Sequence, residues 1–231
     1  MLVFFCPTIK HKMIAETLIS TAIIPLQTSD TGDVALEMMS EFYVRHLPIV
    51  NNRELLGVLS EDDVMNFDVN EAIGSYSLSL QRPYVHNSDH IYEVMRIVAD
   101  QDLSVVPVVD AENNYVGVIT LEDLLRYFAR RVSFADSGSI IVLELSRRDY
   151  SMTEIARIVE SEGATILSSF ISSYPESERI DVTLKINLQH IHNILATFER
   201  FKYEIKASFN EAEYLDSLKE RYQGLMSYLN V

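Results

Sequence analysis

The sequence has one cysteine, no tryptophan, seven glycines and six prolines in 231 residues. With Cys6 alone, neither an intramolecular disulfide nor a Cys-based metal cluster can form, and a reducing, cytoplasmic setting is expected. Basic side chains are also scarce: 19 Lys and Arg stand against 34 Asp and Glu, a net charge of −15. The deficit runs along the chain, with 9 basic and 20 acidic residues up to position 137 and 10 and 14 beyond it. Without a basic stripe there is nothing to pull on a phosphate backbone, so nucleic acid is not an expected partner. Any anionic ligand must be held locally, against the field of the whole molecule. Long apolar runs are missing too. Stretches such as Ile140 to Leu143 are far too short to span a bilayer, and no membrane association is expected.

What is present is an ordinary globular composition, 48% hydrophobic and 23% charged, in a chain long enough for one large or two smaller cores. Residues Met1 to Cys6 form an apolar stub with Lys10 and Lys12 behind it, the reverse of the secretory order. Residues 1–12 are therefore read as an N-terminal extension, with Met13 the expected natural start.

An internal repeat organises the next part. Asp30 and the pair Leu47-Pro48 recur as Asp89 and Val106-Pro107, 59 residues on. After one inserted residue, Gly57, Ser60 and Asp63 recur as Gly117, Thr120 and Asp123, 60 residues on. Two copies, about 13–67 and 83–132, are too few for a solenoid but suit a pseudo-symmetric pair sharing one core. Each copy predicts a polar turn, an amphipathic helix (Val34, Ala35, Met38, Met39; Ile91, Val94, Met95, Val98), two short strands around an Asn-rich turn, and a second helix from Ser60 or Thr120. The prolines argue for a strand edge or start. Residues 68–82 join the copies through a short helix and the polar run Ser75 to Ser79, and 129–138 read as a boundary.

Beyond it the pattern changes. Strands are predicted at Ser139 to Leu145, Ala164 to Ser172, Arg179 to Ile186 and Tyr203 to Ser208, with helices at Met152 to Glu162 and Leu188 to Phe201. The β-α-β-β-α-β order over 139–209 is that of a ferredoxin-like unit. From Glu211 to Leu229 a terminal helix (211–231 as a region) carries the stripe Tyr214, Leu218, Tyr222, Leu225 and Leu229, which a partner or its own body must cover. The fold class is α+β.

The chemistry-bearing signal is Gly57-Val-Leu-Ser60-Glu-Asp-Asp63 and its echo Gly117-Val-Ile-Thr120-Leu-Glu-Asp123. A hydroxyl stands where a strand meets a helix, with a carboxylate three residues later. An ionised Asp can accept both hydroxyls of a ribose, the Ser or Thr hydroxyl can bind a sugar or phosphate oxygen, and Gly lets a backbone or ligand come close. The same pattern also reads as a capping box that needs no ligand. Glu61, Asp62 and Asp63 crowd the first helix start, so ribose is expected there and phosphate elsewhere, with Arg45 and His46 as its candidate partners. Their repeat equivalents, Ser104 and Val105, are uncharged, so the two clefts should differ. A surface arginine and a structural histidine are the plainer alternatives. His190 and His192 point to different helix faces, and His86 and His90 have no third ligand in view, so no metal site is expected. Motifs for a nucleophile elbow, a P-loop or a zinc protease are absent.

The paired repeats with Pro48 and Pro107 and the two Gly-x-x-Ser/Thr-x-x-Asp runs resemble a pair of CBS domains, the Bateman module, over about 13–132. That resemblance implies a pseudo-two-fold cleft for AMP, ADP, ATP or S-adenosylmethionine. Asp63 and Asp123 would take ribose hydroxyls, with Ser60 and Thr120 beside them. It implies a non-enzymatic regulator that works by conformational change, a homodimer, and a protein target not named by the sequence. The second domain resembles the ACT fold, and the combination resembles the bacterial acetoin-utilization regulatory proteins. Ser146 to Ser151 lacks the glycine-bearing turn at which ACT domains hold an effector, which favours dimerisation as that domain's use. The alternative to a sensor is a ligand-free scaffold whose Ser/Thr-x-x-Asp runs only cap helices.

Overall fold

A computed structural model describes residues 13–76, 80–131, 133, 136–175, 177–210 and 228. The chain divides into two compact units, residues 1–128 and 129–231. The predicted helix over 211–229, the N-terminal extension and Ser77 to Ser79 lie outside the described residues, Tyr228 apart.

The first half of the first unit runs through α1 (Gly32–Glu41), β1 (His46–Asn51), β2 (Glu54–Ser60) and α2 (Glu61–Met65). The second half repeats it with β3 (Val85–His86), α3 (Ile91–Gln101), β4 (Val105–Val109), β5 (Tyr115–Thr120) and α4 (Leu121–Arg131). Local chemistry repeats with the fold. Asp30 accepts the Gln27 amide and Asp89 the His86 amide, each at 2.8 Å, closing the turn before the long helix. Both long helices are followed by a left-handed residue, Tyr43 (φ 55°) and Asp102 (φ 50°). Both hairpins turn on a left-handed asparagine, Asn52 and Asn113, a residue type that tolerates this conformation. Both antiparallel pairs slip at the same place, between Ile49 and Val50 and between Val108 and Val109.

The predicted order of helix, strand, strand, helix lacks one piece. Each half also has a short parallel partner ahead of its long helix: Leu26 bridges to Ile49, and β3 pairs with β4 through Val85 and Val108. One or two residues of strand leave no periodicity to read. Leu26 donates its amide to the Pro48 carbonyl at 2.8 Å, so Pro48 faces a side of β1 that asks little of its missing N–H. Among the described residues of the join, a 3-10 turn, Ile73–Ser75, takes the place of the predicted short helix.

The two halves exchange backbone. The Ser20 amide donates to the Val118 carbonyl at 2.7 Å and the Ser20 carbonyl accepts the Val118 amide at 3.0 Å, so the N-terminal segment lies on β5 of the second half. The Ala15 amide reaches Asp89, and Ala15 is buried among second-half side chains. In the corresponding place on β2, the Val58 amide donates to Gln81 at 3.1 Å. Both crossings pass over a glycine. A Cβ at Gly57 would stand 2.6 Å from the Leu80 Cβ and 3.0 Å from the Gln81 carbonyl oxygen. At Gly117 it would stand 2.5 Å from the Ile19 Cγ2 and 2.8 Å from the Ser20 oxygen. The cores interlock as well: Val105 and Val118 pack into the first half's cluster and Val58 into the second's. Side chains such as Leu47, Leu59 and Ile119, fully buried here, contribute about 1.5–3 kcal/mol each.

The second unit has β6 (Ser139–Ser146), α5 (Met152–Ser161), β7 (Ile166–Ser173), β8 (Arg179–Ile186), α6 (His192–Arg200) and β9 (Glu204–Asn210). Helix α6 starts four residues later than its periodicity suggests, and β7 two residues later. The sheet order β7-β8-β6-β9, with all neighbours antiparallel, is the ferredoxin-like arrangement. Alternate residues of β6 (Ile141, Leu143, Leu145) meet Ile155, Ile158 and Phe198 from the helices in one core. On the other face Lys206 bonds Asp181 at 2.7 Å and Tyr174 bonds the same carboxylate at 2.8 Å, which together hold Asp181 below the usual carboxylate range.

Gly117→Ala should expose the crossing constraint. Its φ of 150° and the two contacts below 3 Å are both violated by a side chain, so a loss of about 2–3 kcal/mol is expected in denaturant unfolding. Gly163, at φ 75° with no atom within 4 Å of an added Cβ, carries the conformational cost alone, about 1 kcal/mol on mutation to Ala. Equal losses would mean that close approach contributes nothing.

Candidate ligand-binding cleft

The cleft is built where β2 hands over to α2. Ser60 caps the helix in an extended conformation, and its Oγ accepts the Asp63 amide at 3.0 Å. Asp63 returns the bond, its Oδ2 accepting the Ser60 amide at 3.0 Å and the Ser60 hydroxyl at 2.6 Å. This is a complete capping box. It occupies Oδ2 only; among the described residues Oδ1 accepts no hydrogen bond. Beside the box lies a cleft of about 220 Å³. Its walls are Leu80, Gln81 and Pro83, from the segment crossing β2, and Gln101 and Leu103, from the end of α3 and just beyond.

His46 completes the lining. Its Nδ1 accepts the Ser104 amide at 3.2 Å and lies 3.1 Å from the Ser104 hydroxyl, which in turn accepts the Arg45 amide at 2.9 Å. A ring nitrogen that accepts a backbone N–H carries no proton, so neutral His46 is the Nε2–H tautomer. Burial, and then the Arg45 charge, push the His46 pKa down. Arg45 and Ser104 are repeat equivalents, so this contact lies close to the pseudo-two-fold axis.

Of the six residues singled out in the sequence, His46, Ser60 and Asp63 come together in this cleft. Arg45 is not among its lining residues: its guanidinium is 62% exposed and stands 3.5 Å from Asp102, itself 92% exposed. Such a surface pair is worth little. Thr120 and Asp123 belong to the other half and repeat the cap, with the Asp123 amide on the Thr120 Oγ1 at 3.0 Å and the hydroxyl on Oδ2 at 2.8 Å. There the second carboxylate oxygen is engaged, with Arg126 at 3.5 Å from Oδ1. The wall residues Leu80, Gln81, Pro83, Gln101 and Leu103 carry no motif. Gly57 signalled that something approaches β2 closely, but not which segment does so.

Among the described histidines outside the cleft, two hold local structure. His90 caps α3 through its Nδ1, and the His86 ring lies 3.2 Å from the Asp110 carbonyl oxygen. Among the described residues no three His, Cys, Asp or Glu side chains are grouped to hold a metal ion. In the second unit a wider cleft of about 490 Å³ opens beside Ser146 and Asp149. There Tyr203 donates to Glu154 at 2.9 Å, and its pKa is pushed up to about 12, chiefly by burial. No helix among the described residues is long and apolar enough to cross a membrane.

Two helix-strand-strand-helix units exchanging backbone about a pseudo-two-fold axis are the architecture of a CBS pair. The family model of the CBS domain matches residues 15–70 and 78–130, so the chain carries two CBS domains in tandem. An uncharacterized protein of Methanocaldococcus jannaschii is 30% identical over 105 residues, 45% of this chain and 40% of that protein. The magnesium transporter MgtE of Thermus thermophilus is 37% identical over 71 residues, 31% of this chain and 16% of the transporter. The chain thus spans less than half the length of either relative. Among solved structures, a CBS domain pair/ACT domain protein of Thermotoga maritima superposes with a TM-score of 0.46 at 20% identity, over 51% of this chain and 98% of the other. CBSX2 of Arabidopsis thaliana in complex with AMP superposes with a TM-score of 0.45 at 21% identity, over 51% and 96%.

The lowered His46 pKa has a stability consequence. The unfolded chain takes a proton near pH 6.5, whereas the folded chain resists it until lower pH. Stability is therefore unaffected well above pH 6.5 and falls as pH drops through that value. Denaturant unfolding at pH 7.5 and 5.5 should show a loss in the natural chain and a smaller loss in His46→Gln. Equal losses in both would assign the effect to other groups.

Proposed function

We propose that the tandem CBS pair senses an adenine nucleotide or related adenosyl ligand in this cleft and passes the signal on by conformational change. One observation carries the proposal: Asp63 keeps a carboxylate oxygen without a hydrogen bond at the edge of a cleft that His46, Ser60 and two chain segments enclose. In this reading the vicinal hydroxyls of the ribose bond Asp63, sharing Oδ2 with the cap. Ser60 and the Nε2–H of His46 serve neighbouring oxygens, and the apolar walls take the base. Arg45, released from its exposed pairing with Asp102, reaches a phosphate. Thr120 and Asp123 form the corresponding half-site, where Arg126 competes for the carboxylate. AMP, ADP, ATP and S-adenosylmethionine are the candidate ligands, and no bond is made or broken.

Because the cleft is walled by the end of α3 and by the segment crossing β2, a ligand that draws the walls together changes the angle between the halves, a population shift in a two-state element. The output is a homodimer surface or a protein target in the cytoplasm. The ferredoxin-like topology of the second unit supports assigning it as an ACT-like domain. Apolar side chains on the first unit, Tyr43 at 94% and Leu125 at 68% exposure, support self-association. A second reading has its own observation: the capping box is complete without a ligand, as a scaffold would require.

Calorimetric titration of AMP separates the two. As a sensor, the chain should bind saturably, and Asp63→Asn should weaken binding at least about tenfold, about 1.4 kcal/mol, with little change in unfolding free energy. Flat traces from folded, nucleotide-free protein would favour the scaffold.

A further inference from the structure

We infer that the cleft discriminates against phosphate, so that its ligand is a nucleoside or a nucleoside monophosphate rather than a di- or triphosphate. This rests on the reading above, that the cleft holds an adenosyl ligand. The lining is the first argument. Its polar side chains are His46, Ser60, Asp63, Gln81 and Gln101, and among the described lining residues none is Lys or Arg. His46 is held neutral by the Ser104 amide on its Nδ1, so it offers one hydrogen-bond donor and no charge. Asp63 is the one charged group in that lining, and its charge has the wrong sign for phosphate.

The surroundings add to this. Helix α2 has only five residues and carries Glu61, Asp62 and Asp63 in its first turn, so its start does not attract an anion. Arg82, between the wall residues Gln81 and Pro83, is turned along β2, where its Nε donates to the Leu56 carbonyl at 2.7 Å, which leaves Arg45 as the cation to swing in. Its present partner is a single exposed carboxylate at 3.5 Å, a pair that costs little to break. Moving Arg45 would neutralise one phosphate but leave the Asp102 charge unpaired at the mouth. At the repeat position where the second half carries Arg126, the first half has the uncharged Asn66. Each phosphate beyond the first would therefore meet carboxylates without a counter-charge, in a molecule of net charge −15. Size agrees with charge: about 220 Å³ is below the roughly 300–1,000 Å³ usual for small-molecule sites and suits a base and sugar.

The test is calorimetric titration of the full chain with adenosine, AMP, ADP and ATP in EDTA, at low and at moderate salt. Adenosine and AMP should bind within about tenfold of each other, with ATP at least about thirtyfold weaker at low salt, and the ATP deficit should shrink as salt rises. Gln101→Lys, which puts a cation into the wall, should raise the ratio of ATP to adenosine affinity about tenfold. ATP binding as tightly as AMP, or a ratio unmoved by Gln101→Lys, would overturn the inference while leaving the adenosyl reading in place. Failure of all four to bind would remove both.

Discussion

The crossing of two backbone segments over Gly57 and Gly117 is the constraint on which the first unit depends. Each segment approaches a strand at a distance that leaves no room for a side chain, and each is fixed by hydrogen bonds to the strand it covers. One of them, reaching Gln81, is also a wall of the cleft. The same contact that ties the halves together thus shapes the candidate site, and a ligand touching Gln81 presses on the joint itself. In the proposed sensor, ligand binding and stability would therefore share residues, and a change in the cleft would alter how the halves meet.

Asp63 shows how a fold can leave a carboxylate oxygen open at the edge of a cleft at small cost. Burying an unpaired charge would be unfavourable, but Asp63 is half-buried, and one oxygen already has two donors from Ser60. The cap orients the group and leaves the other oxygen over. Asp123 likewise accepts the hydroxyl of its capping residue, Thr120, but lies against Arg126, so the pseudo-symmetry of the backbone does not extend to the electrostatics. His46 departs from symmetry in a second way, since its repeat equivalent is Val105.

Much of this was legible beforehand because the repeat appears twice. Equal spacing of Asp30 and Asp89, of the prolines and of the Ser/Thr-x-x-Asp runs marked the pseudo-two-fold unit, and periodicity sufficed for the long helices and paired strands. The capping and ligand readings of Ser60 and Asp63 could not be separated in the sequence, because both need a hydroxyl and an acid at that spacing. The strand at Leu26 and the walls at Leu80, Gln81 and Gln101 were not legible. A one-residue bridge has no period, and wall residues owe their place to tertiary packing alone. The Arg45 pairing was hidden for the same reason: Asp102 lies 57 residues away in sequence.

The central claim is that an adenosyl ligand sits between α2 and the segment crossing β2. Its most direct test is to titrate AMP into isotopically labelled protein and follow the backbone amides by nuclear magnetic resonance. The account predicts saturable shifts at Ser60, Asp63, Gln81 and Leu103, with those of Thr120 and Asp123 moving less. Shifts confined to residues outside this cleft, or none at saturating AMP, would contradict it.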